Sequence, residues 1–290
     1  MRTIQTCLGL GLLVLAVAVG RTLQAAPPDD VMTKTRMEQM LVDGDTGMIM
    51  QTFKRYPGRT LQFIDQYLEG GLARIEKGED PAVVIGQFRT GIRFAEAADK
   101  AFGSLAFGEY ANAFASWSPA EQKLFREGQK ALKEGVKGQD AATARKSLER
   151  SLSIAMSLGD TWGQAMAKLA LVESALNAGE YNEAAAMAVD AVEINARLQL
   201  KEDTAQAFRL AGRAALNTDQ PVSAVSYLAQ AWMIVERDQD ISPEVREATF
   251  TEYVKVMEKL GMKDRADALR KTRAKSAESG EPGQAPPSSQ

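Results

Sequence analysis

The sequence predicts an all-α fold, an α-solenoid of antiparallel helix pairs, because one pattern recurs at a fixed interval. Three alanines, Ala144, Ala184 and Ala224, lie 40 residues apart. An isoleucine follows each of them by ten positions, at Ile154, Ile194 and Ile234. A fixed period in the range of about 20 to 50 residues is typical of repeat arrays, in which each unit buries its apolar face against the next unit. The chain is therefore expected to stack helix pairs one after another.

The middle copy, residues 161–198, shows how one pair is built. Apolar residues recur at helical spacing up to Leu176, a glycine interrupts them, and a second periodic run begins at Tyr181. This pattern predicts two helices joined by a short turn. Small alanines along the second helix let two helix axes approach closely, so that ridges pack into grooves.

Five residues of this copy resemble the tetratricopeptide repeat family: Gly179, Tyr181, Ala184, Ala188 and Ala191. The resemblance extends over residues 119–275 and implies a right-handed α-solenoid whose first helices line a concave groove. Two features depart from the family pattern. Lys168 stands where a large apolar residue is usual, and the period of about 40 residues exceeds the usual 34 of that family. An irregular helical bundle with alanine-rich seams is the alternative fold.

Taken in order, the chain divides into four segments. Residues 1–26 are predicted to be a signal peptide, 27–117 a helical region with degenerate hairpins, 118–275 the repeat array and 276–290 a disordered tail. Within the second segment, Asp80 and Pro81 mark a helix start, and the aromatic residues of 103–117 predict a seam toward the array. Ser118 to Glu121 reads as a capping box, and Asp203 is predicted to cap a later helix. The polar last helix suits a terminal cap, and the Ser/Gly/Pro/Gln-rich end suits disorder.

The N-terminus predicts export. Arg2 precedes an apolar run of 14 residues from Cys7 to Gly20, and small residues follow at Ala25 and Ala26. The run is shorter than the roughly 20 apolar residues that a membrane span requires. The protein is therefore expected to be periplasmic in a Gram-negative bacterium and otherwise secreted. An uncleaved membrane anchor is the alternative.

The residue inventory excludes several kinds of chemistry. The chain contains no histidine, and its one cysteine, Cys7, lies in the predicted signal peptide. Disulfide frameworks, Cys or His catalysis and Cys/His zinc sites are therefore not expected. The segment starting at Asp43 resembles a calcium loop only at its beginning, since Lys54 occupies the place of the bidentate glutamate. We predict no catalytic residue, cofactor or metal site. The formal net charge of −3 argues against nucleic-acid binding.

The predicted binding element is a set of polar residues on the first helix of each pair, which we name the first-helix strip. Its members are Arg126, Gln129, Lys133, Glu173, Asn177, Gln206, Arg209, Arg213, Asn217, Arg246 and Tyr253. Because arginine presents a planar donor fork and asparagine can orient a peptide backbone, the strip is expected to bind an acidic or extended segment or a chain-terminal carboxylate. The alternative is that these side chains only solubilise the surface.

The sequence therefore predicts an exported scaffold or adaptor that binds other proteins in the cell envelope, and not an enzyme. Two other functions stay open. One is an enzyme that uses carboxyl groups alone, for instance on a glycan, which would require two acidic residues facing each other across a pocket. The other is an assembly factor tethered to the membrane by an uncleaved N-terminal segment.

Overall fold

The prediction of an all-α fold is confirmed. The computed structural model describes residues 32–238 and 240–279, and within them the secondary structure consists of α-helices without any strand. The predicted signal peptide and most of the predicted tail lie outside the described residues. The helices are α1 (Lys34–Val42), α2 (Thr46–Arg55), α3 (Pro57–Glu76), α4 (Pro81–Phe102), α5 (Ala106–Ser116), α6 (Pro119–Lys137), α7 (Ala141–Leu158), α8 (Thr161–Ala178), α9 (Tyr181–Arg197), α10 (Lys201–Asn217), α11 (Pro221–Arg237), α12 (Pro243–Lys259) and α13 (Lys263–Ser279).

The chain divides into two compact units. The first unit comprises the residues up to Ala167 together with Arg197–Gln199, and the second comprises Lys168–Ala196 and the residues from Leu200 onward. In both units, helices that follow each other along the chain pack together, as α3 does with α4, α6 with α7, and α10 with α11. None of the described helices combines the length and the apolar composition that crossing a membrane requires.

Aromatic side chains form the core at the beginning of the first unit. The ring of Phe94 on α4 lies 5.1 Å from that of Phe63 and 5.2 Å from that of Tyr67, both on α3, measured between centroids. Phe53 on α2 contacts the same ring at 6.3 Å. Edge-on and tilted ring pairs at these distances add to the stabilisation that burial itself gives. The predicted start of α4 is confirmed, because the Asp80 carboxylate accepts a hydrogen bond from the Ala82 amide and Pro81 is the first helical residue.

The predicted aromatic seam joins α5 to α6. The ring of Phe114 lies 4.3 Å from that of Trp117 and 5.2 Å from that of Phe125, between centroids. The indole Nε1 of Trp117 donates a buried hydrogen bond of 2.9 Å to the Leu158 carbonyl at the end of α7. The capping box at Ser118 is also present. The contacts of Trp117 and the capping box at Ser118 together fix the direction of α6. One face of α6 therefore lies toward α3.

Glycine and alanine permit the close crossing of α6 and α7. A Cβ atom at Gly135 would lie 2.5 Å from Leu148 Cγ and 2.9 Å from the Ala144 carbonyl oxygen, so no side chain fits between the helices. The same arrangement recurs in the second unit, where a Cβ at Gly212 would lie 2.7 Å from Leu228 Cγ. Two of the alanines that mark the repeat, Ala144 and Ala224, therefore lie at these close helix crossings.

The second unit continues the helix pairs. The C-terminal part of α8 packs with α9 and α10 around a core that includes Val172, Ala188 and Leu210. A further core around Trp232, Val254 and Leu269 joins α11, α12 and α13. One boundary differs from the prediction, since α10 begins at Lys201 and not after a cap at Asp203. The cause is a left-handed residue, Gln199 with φ 58°, which turns the chain directly into the next helix.

Candidate functional site

Two of the three strip residues of the first unit, Arg126 and Gln129, bind carboxylates of α3. Nη1 of Arg126 lies 2.8 Å from a Glu69 oxygen, and its Nε lies 2.8 Å from a Glu76 oxygen. The amide of Gln129 donates to Glu69 at 2.7 Å. Lys133, one turn further along α6, is exposed. Arg126 and Gln129 thus link two helices and are already paired, and Lys133 stays at the surface.

In the second unit, the structure brings three strip residues together in an interior network. Gln206 donates to Glu173 at 2.8 Å, and Arg209 donates to Glu252 at 2.7 Å. Burial raises the pKa of Glu173, while the charge of Arg209 opposes that rise. Gln206 and Arg209 were predicted to lie on an exposed face, but both are buried. The physical reason is that α8, α10 and α12 lie side by side and cover these residues.

This burial changes what an experiment on Arg209 can report. Its side chain is 8% exposed and faces the carboxylate of Glu252. An Arg209→Glu substitution would place two carboxylates in contact inside the protein, and breaking a buried ion pair by removing one partner costs about 3–5 kcal/mol. Such a variant would measure stability and not partner binding.

The strip at the end of the second unit is mainly structural. The guanidinium of Arg246 on α12 donates to the carbonyl oxygens of Val235 and of Asp238, the latter at 2.7 Å. These carbonyls lie at the C-terminal end of α11, where cations are favoured by the helix dipole. Tyr253 is half-buried against the core around Trp232, and this burial raises the pKa of its phenol. Both side chains therefore contribute to packing within the unit.

Three strip residues of the second unit are exposed enough to contact a partner. Asn177 at the end of α8 and Asn217 at the end of α10 are exposed, and Arg213 is half-exposed. The Asn217 amide donates to the Arg213 carbonyl at 2.8 Å. Within the described residues, Arg213 forms no ion pair. These residues offer two amides and one cation on one side of the unit.

An enclosed site lies in the first unit and was missed from the sequence. A cavity of about 190 Å³ is lined by residues of α3, α5, α6, α7 and the start of α8. Three carboxyl groups line it, those of Asp65, Glu69 and Asp160, and we call it the acidic cavity. The Tyr110 hydroxyl donates to Asp65 Oδ1 at 2.5 Å, and the Gly163 amide donates to Asp160 Oδ1 at 2.8 Å.

Two of these carboxyl groups have unusual proton affinities. Burial raises the pKa of Asp65 to about 7, although the Tyr110 hydrogen bond opposes the rise. Burial also raises the pKa of Asp160 to about 6, against the hydrogen bond from Gly163, and the charge of Glu69 adds to the increase. Neither carboxyl forms an ion pair within the described part of the chain. Carboxyl groups with raised pKa values in a concave pocket are candidates for a functional site.

One signal in the sequence pointed to Asp65. It follows Leu61 by four residues and precedes Leu68 by three, so a carboxyl group lies on the apolar stripe of α3. Asp160 gave no such signal, because it reads as an ordinary helix cap, and it does cap α8 through Gly163. Only the packing of the start of α8, residues 161–166, within the first unit places that cap beside a cavity.

No protein-family model matches the chain, and comparison with curated proteins returns no significant match. The function is therefore inferred from the chain's own residues. Among the described residues, no group of three or more acidic side chains has an arrangement that could hold a metal ion. The acidic cavity can accept hydrogen bonds, exchange protons near neutral pH and attract an organic cation.

Proposed function

We propose that this chain is an exported scaffold or adaptor of the tetratricopeptide type, a right-handed α-solenoid class, which binds an extended segment of another envelope protein along the first helices of its pairs. One observation carries this proposal. In each unit, the first helices of consecutive pairs contact each other through polar side chains, as α3 does with α6 through Glu69 and Arg126, and α8 with α10 through Glu173 and Gln206. Consecutive polar helices side by side form an extended surface with several anchors, which suits a peptide better than a small molecule.

The side chains that the hydrogen-bond network leaves unpaired indicate what kind of partner segment would bind. Arg126 and Arg209 are compensated internally by carboxylates, so the strip is less basic than its composition indicates. In the second unit, Arg213 stays available for an acidic residue of the segment, and Asn177 and Asn217 for its backbone amides. A mixed polar segment fits this surface better than a purely acidic one.

Photo-crosslinking tests the proposal on the folded protein. With a photoreactive amino acid at Asn177 or at Asn217 in the second unit, we expect the same envelope protein to be crosslinked from both positions. Val189 on α9 and Val222 on α11 serve as matched controls, because they are exposed but lie on second helices. Arg213→Glu is expected to reduce the crosslink from Asn217 about tenfold, since a charged hydrogen bond is worth about 1.5–3 kcal/mol.

Equal crosslinking from the first and second helices would contradict the proposed surface, and so would crosslinking from Val189 and Val222 alone. Absence of any crosslinked protein would contradict the adaptor function. Circular dichroism of each variant confirms that the helices are retained.

Export is part of the proposal, and it depends on residues 1–26. N-terminal sequencing of the protein purified from its source distinguishes a cleaved signal peptide from an anchor. A sequence beginning near Pro27 supports export, whereas one beginning at Met1 supports the tethered assembly factor.

A second candidate function, a carboxyl-dependent enzyme, is favoured by the acidic cavity. Asp65 and Asp160 line one pocket and titrate near neutral pH, as a general acid and base require. The test is incubation with envelope glycan, with products followed by mass spectrometry. Turnover that disappears in both Asp65→Asn and Asp160→Asn would favour the enzyme, and unchanged glycan would exclude this substrate class.

A further inference from the structure

The acidic cavity has the composition of a site for an organic cation. Besides its three carboxyl groups, three aromatic side chains line it, those of Tyr110, Phe125 and Trp162. The rings of Tyr110 and Trp162 meet edge to face, with centroids 6.4 Å apart. Aromatic faces attract cations through their quadrupole, and the attraction grows when water is excluded. Carboxylates and rings together in one enclosed space are a favourable environment for positive charge.

Among the described residues, no cationic side chain occupies this environment. The residues that line the cavity include no lysine or arginine. The positive charge of Arg126 on α6 acts on Asp65, but its guanidinium is bound to Glu69 and Glu76. Asp65 and Asp160 are left with hydrogen bonds to neutral donors, the Tyr110 hydroxyl and backbone amides. Neither carboxyl forms an ion pair among the described residues, and burial raises the pKa of both.

We propose that the acidic cavity binds an alkylammonium group, namely the side chain of a lysine in the partner segment; this assignment rests on the proposed function. An ammonium group carries three hydrogen-bond donors and no acceptor, which matches the carboxyl groups of Asp65, Glu69 and Asp160. It is compact, whereas a guanidinium is a planar fork suited to bidentate pairing. The aromatic and apolar walls accept the methylene stem of the lysine. A volume of about 190 Å³ accommodates one such side chain and not a folded peptide.

Binding is expected to depend on pH. The charged and titratable groups around the cavity are Asp65 and Glu69 on α3, Tyr110 on α5, Arg126 on α6 and Asp160 at the start of α8. A bound cation favours the ionised carboxylates, so it lowers the pKa of Asp65 and of Asp160 and releases protons. Between pH 8 and pH 5 both groups become protonated in the free protein, and affinity is expected to fall about tenfold or more.

The experiment uses the full mature chain and four small probes followed by NMR at pH 8. The probes are Nα-acetyl-lysine N-methylamide, its neutral isostere Nα-acetyl-norleucine N-methylamide, cadaverine as a free amine, and N-acetylglucosamine. We expect the lysine derivative to bind and to shift the Trp162 indole signal, and the norleucine derivative to bind at least about tenfold more weakly. Asp160→Asn is expected to weaken lysine binding about tenfold, and because asparagine also caps helices well, that variant is expected to fold.

Asp140→Asn is the matched control, since Asp140 caps α7 in the same way but is exposed. It is expected to leave binding unchanged. If the lysine and norleucine derivatives bind equally, or if affinity is the same at pH 5 and pH 8, the cation site is overturned. Binding of cadaverine without the lysine derivative would overturn the assignment to a protein side chain, and binding of N-acetylglucosamine alone would assign the cavity to glycan. Crosslinking from Asn177 and Asn217 reports on the adaptor function separately, so the two inferences can fail independently.

Discussion

Replacing Asp65 with asparagine is expected to stabilise the protein at pH 8. Burial raises the pKa of Asp65 from 3.8 to about 7, so the folded state prefers the protonated carboxyl. Between those two values the folded protein binds more protons than the unfolded chain, and its stability therefore falls as the pH rises. Asparagine is neutral at every pH and can still accept the Tyr110 hydrogen bond. At pH 8 we expect a gain of about 2–4 kcal/mol in the free energy of unfolding, or about 5 °C or more in Tm.

The measurement is thermal unfolding at pH 4, 6 and 8. Wild type and Asp65→Asn should differ least at pH 4, where the wild-type carboxyl is protonated in the folded state and only about half ionised in the unfolded chain, and they should separate as the pH rises toward 7. Asp140→Asn is the matched control. Hydrogen bonds from Thr143 lower the pKa of Asp140, so its contribution has the opposite sign and is lost as the pH falls. A Tm of Asp65→Asn below that of wild type at pH 8 would show that the carboxylate is stabilised in the folded protein.

Gly135→Ala is expected to destabilise the crossing of α6 and α7. The added Cβ would lie 2.9 Å from the backbone oxygen of Ala144 and 2.5 Å from Leu148 Cγ. Leu148 can shift in part, but a helix backbone cannot, so the two helices must move apart. Overpacking of this kind costs about 1–3 kcal/mol, and the better helix propensity of alanine offsets up to about 1 kcal/mol of it. We expect a net loss of about 1 kcal/mol, measured by urea unfolding.

Gly86→Ala provides the control for that prediction. Gly86 lies inside α4, and a Cβ there would meet no atom within 4 Å. The same chemical change is therefore expected to raise stability by about 1 kcal/mol through helix propensity alone. If both variants are stabilised, the close approach of α6 and α7 does not constrain Gly135, and the explanation given for the small residues of the repeat is wrong.

Local patterns predicted most of the helix starts. Asp80, Ser118 and Ser242 each accept a hydrogen bond from an amide of the helix that follows, as expected from the capping residue and the adjacent proline. The start of α10 was misplaced because Gln199, a residue without special preference for a left-handed conformation, adopts φ 58°. A helix cap depends on residues three or four positions apart, so it can be recognised in the sequence. The left-handed turn at Gln199 has no such sequence signal.

The candidate sites were harder to predict than the helices. Arg209 and Gln206 have the spacing of an exposed polar face, yet the neighbouring first helices bury them. The acidic cavity combines Asp65, Tyr110 and Asp160, which lie far apart in the chain and on different elements. A helical period assigns residues to one face of a helix, but it does not tell which face a neighbouring helix covers.

For the part of the chain that the structure describes, the sequence alone determined that the secondary structure is helical, where the helix pairs are placed and that small residues recur at their crossings. These properties depend on residues within a few positions of each other or on the 40-residue repeat, so they can be read along the chain. The tertiary structure decided which polar residues became interior links, which stayed at the surface, and which carboxyl groups came to share a cavity. Those outcomes depend on burial and on charges from distant segments, because desolvation and Coulomb interactions act through space and not along the sequence.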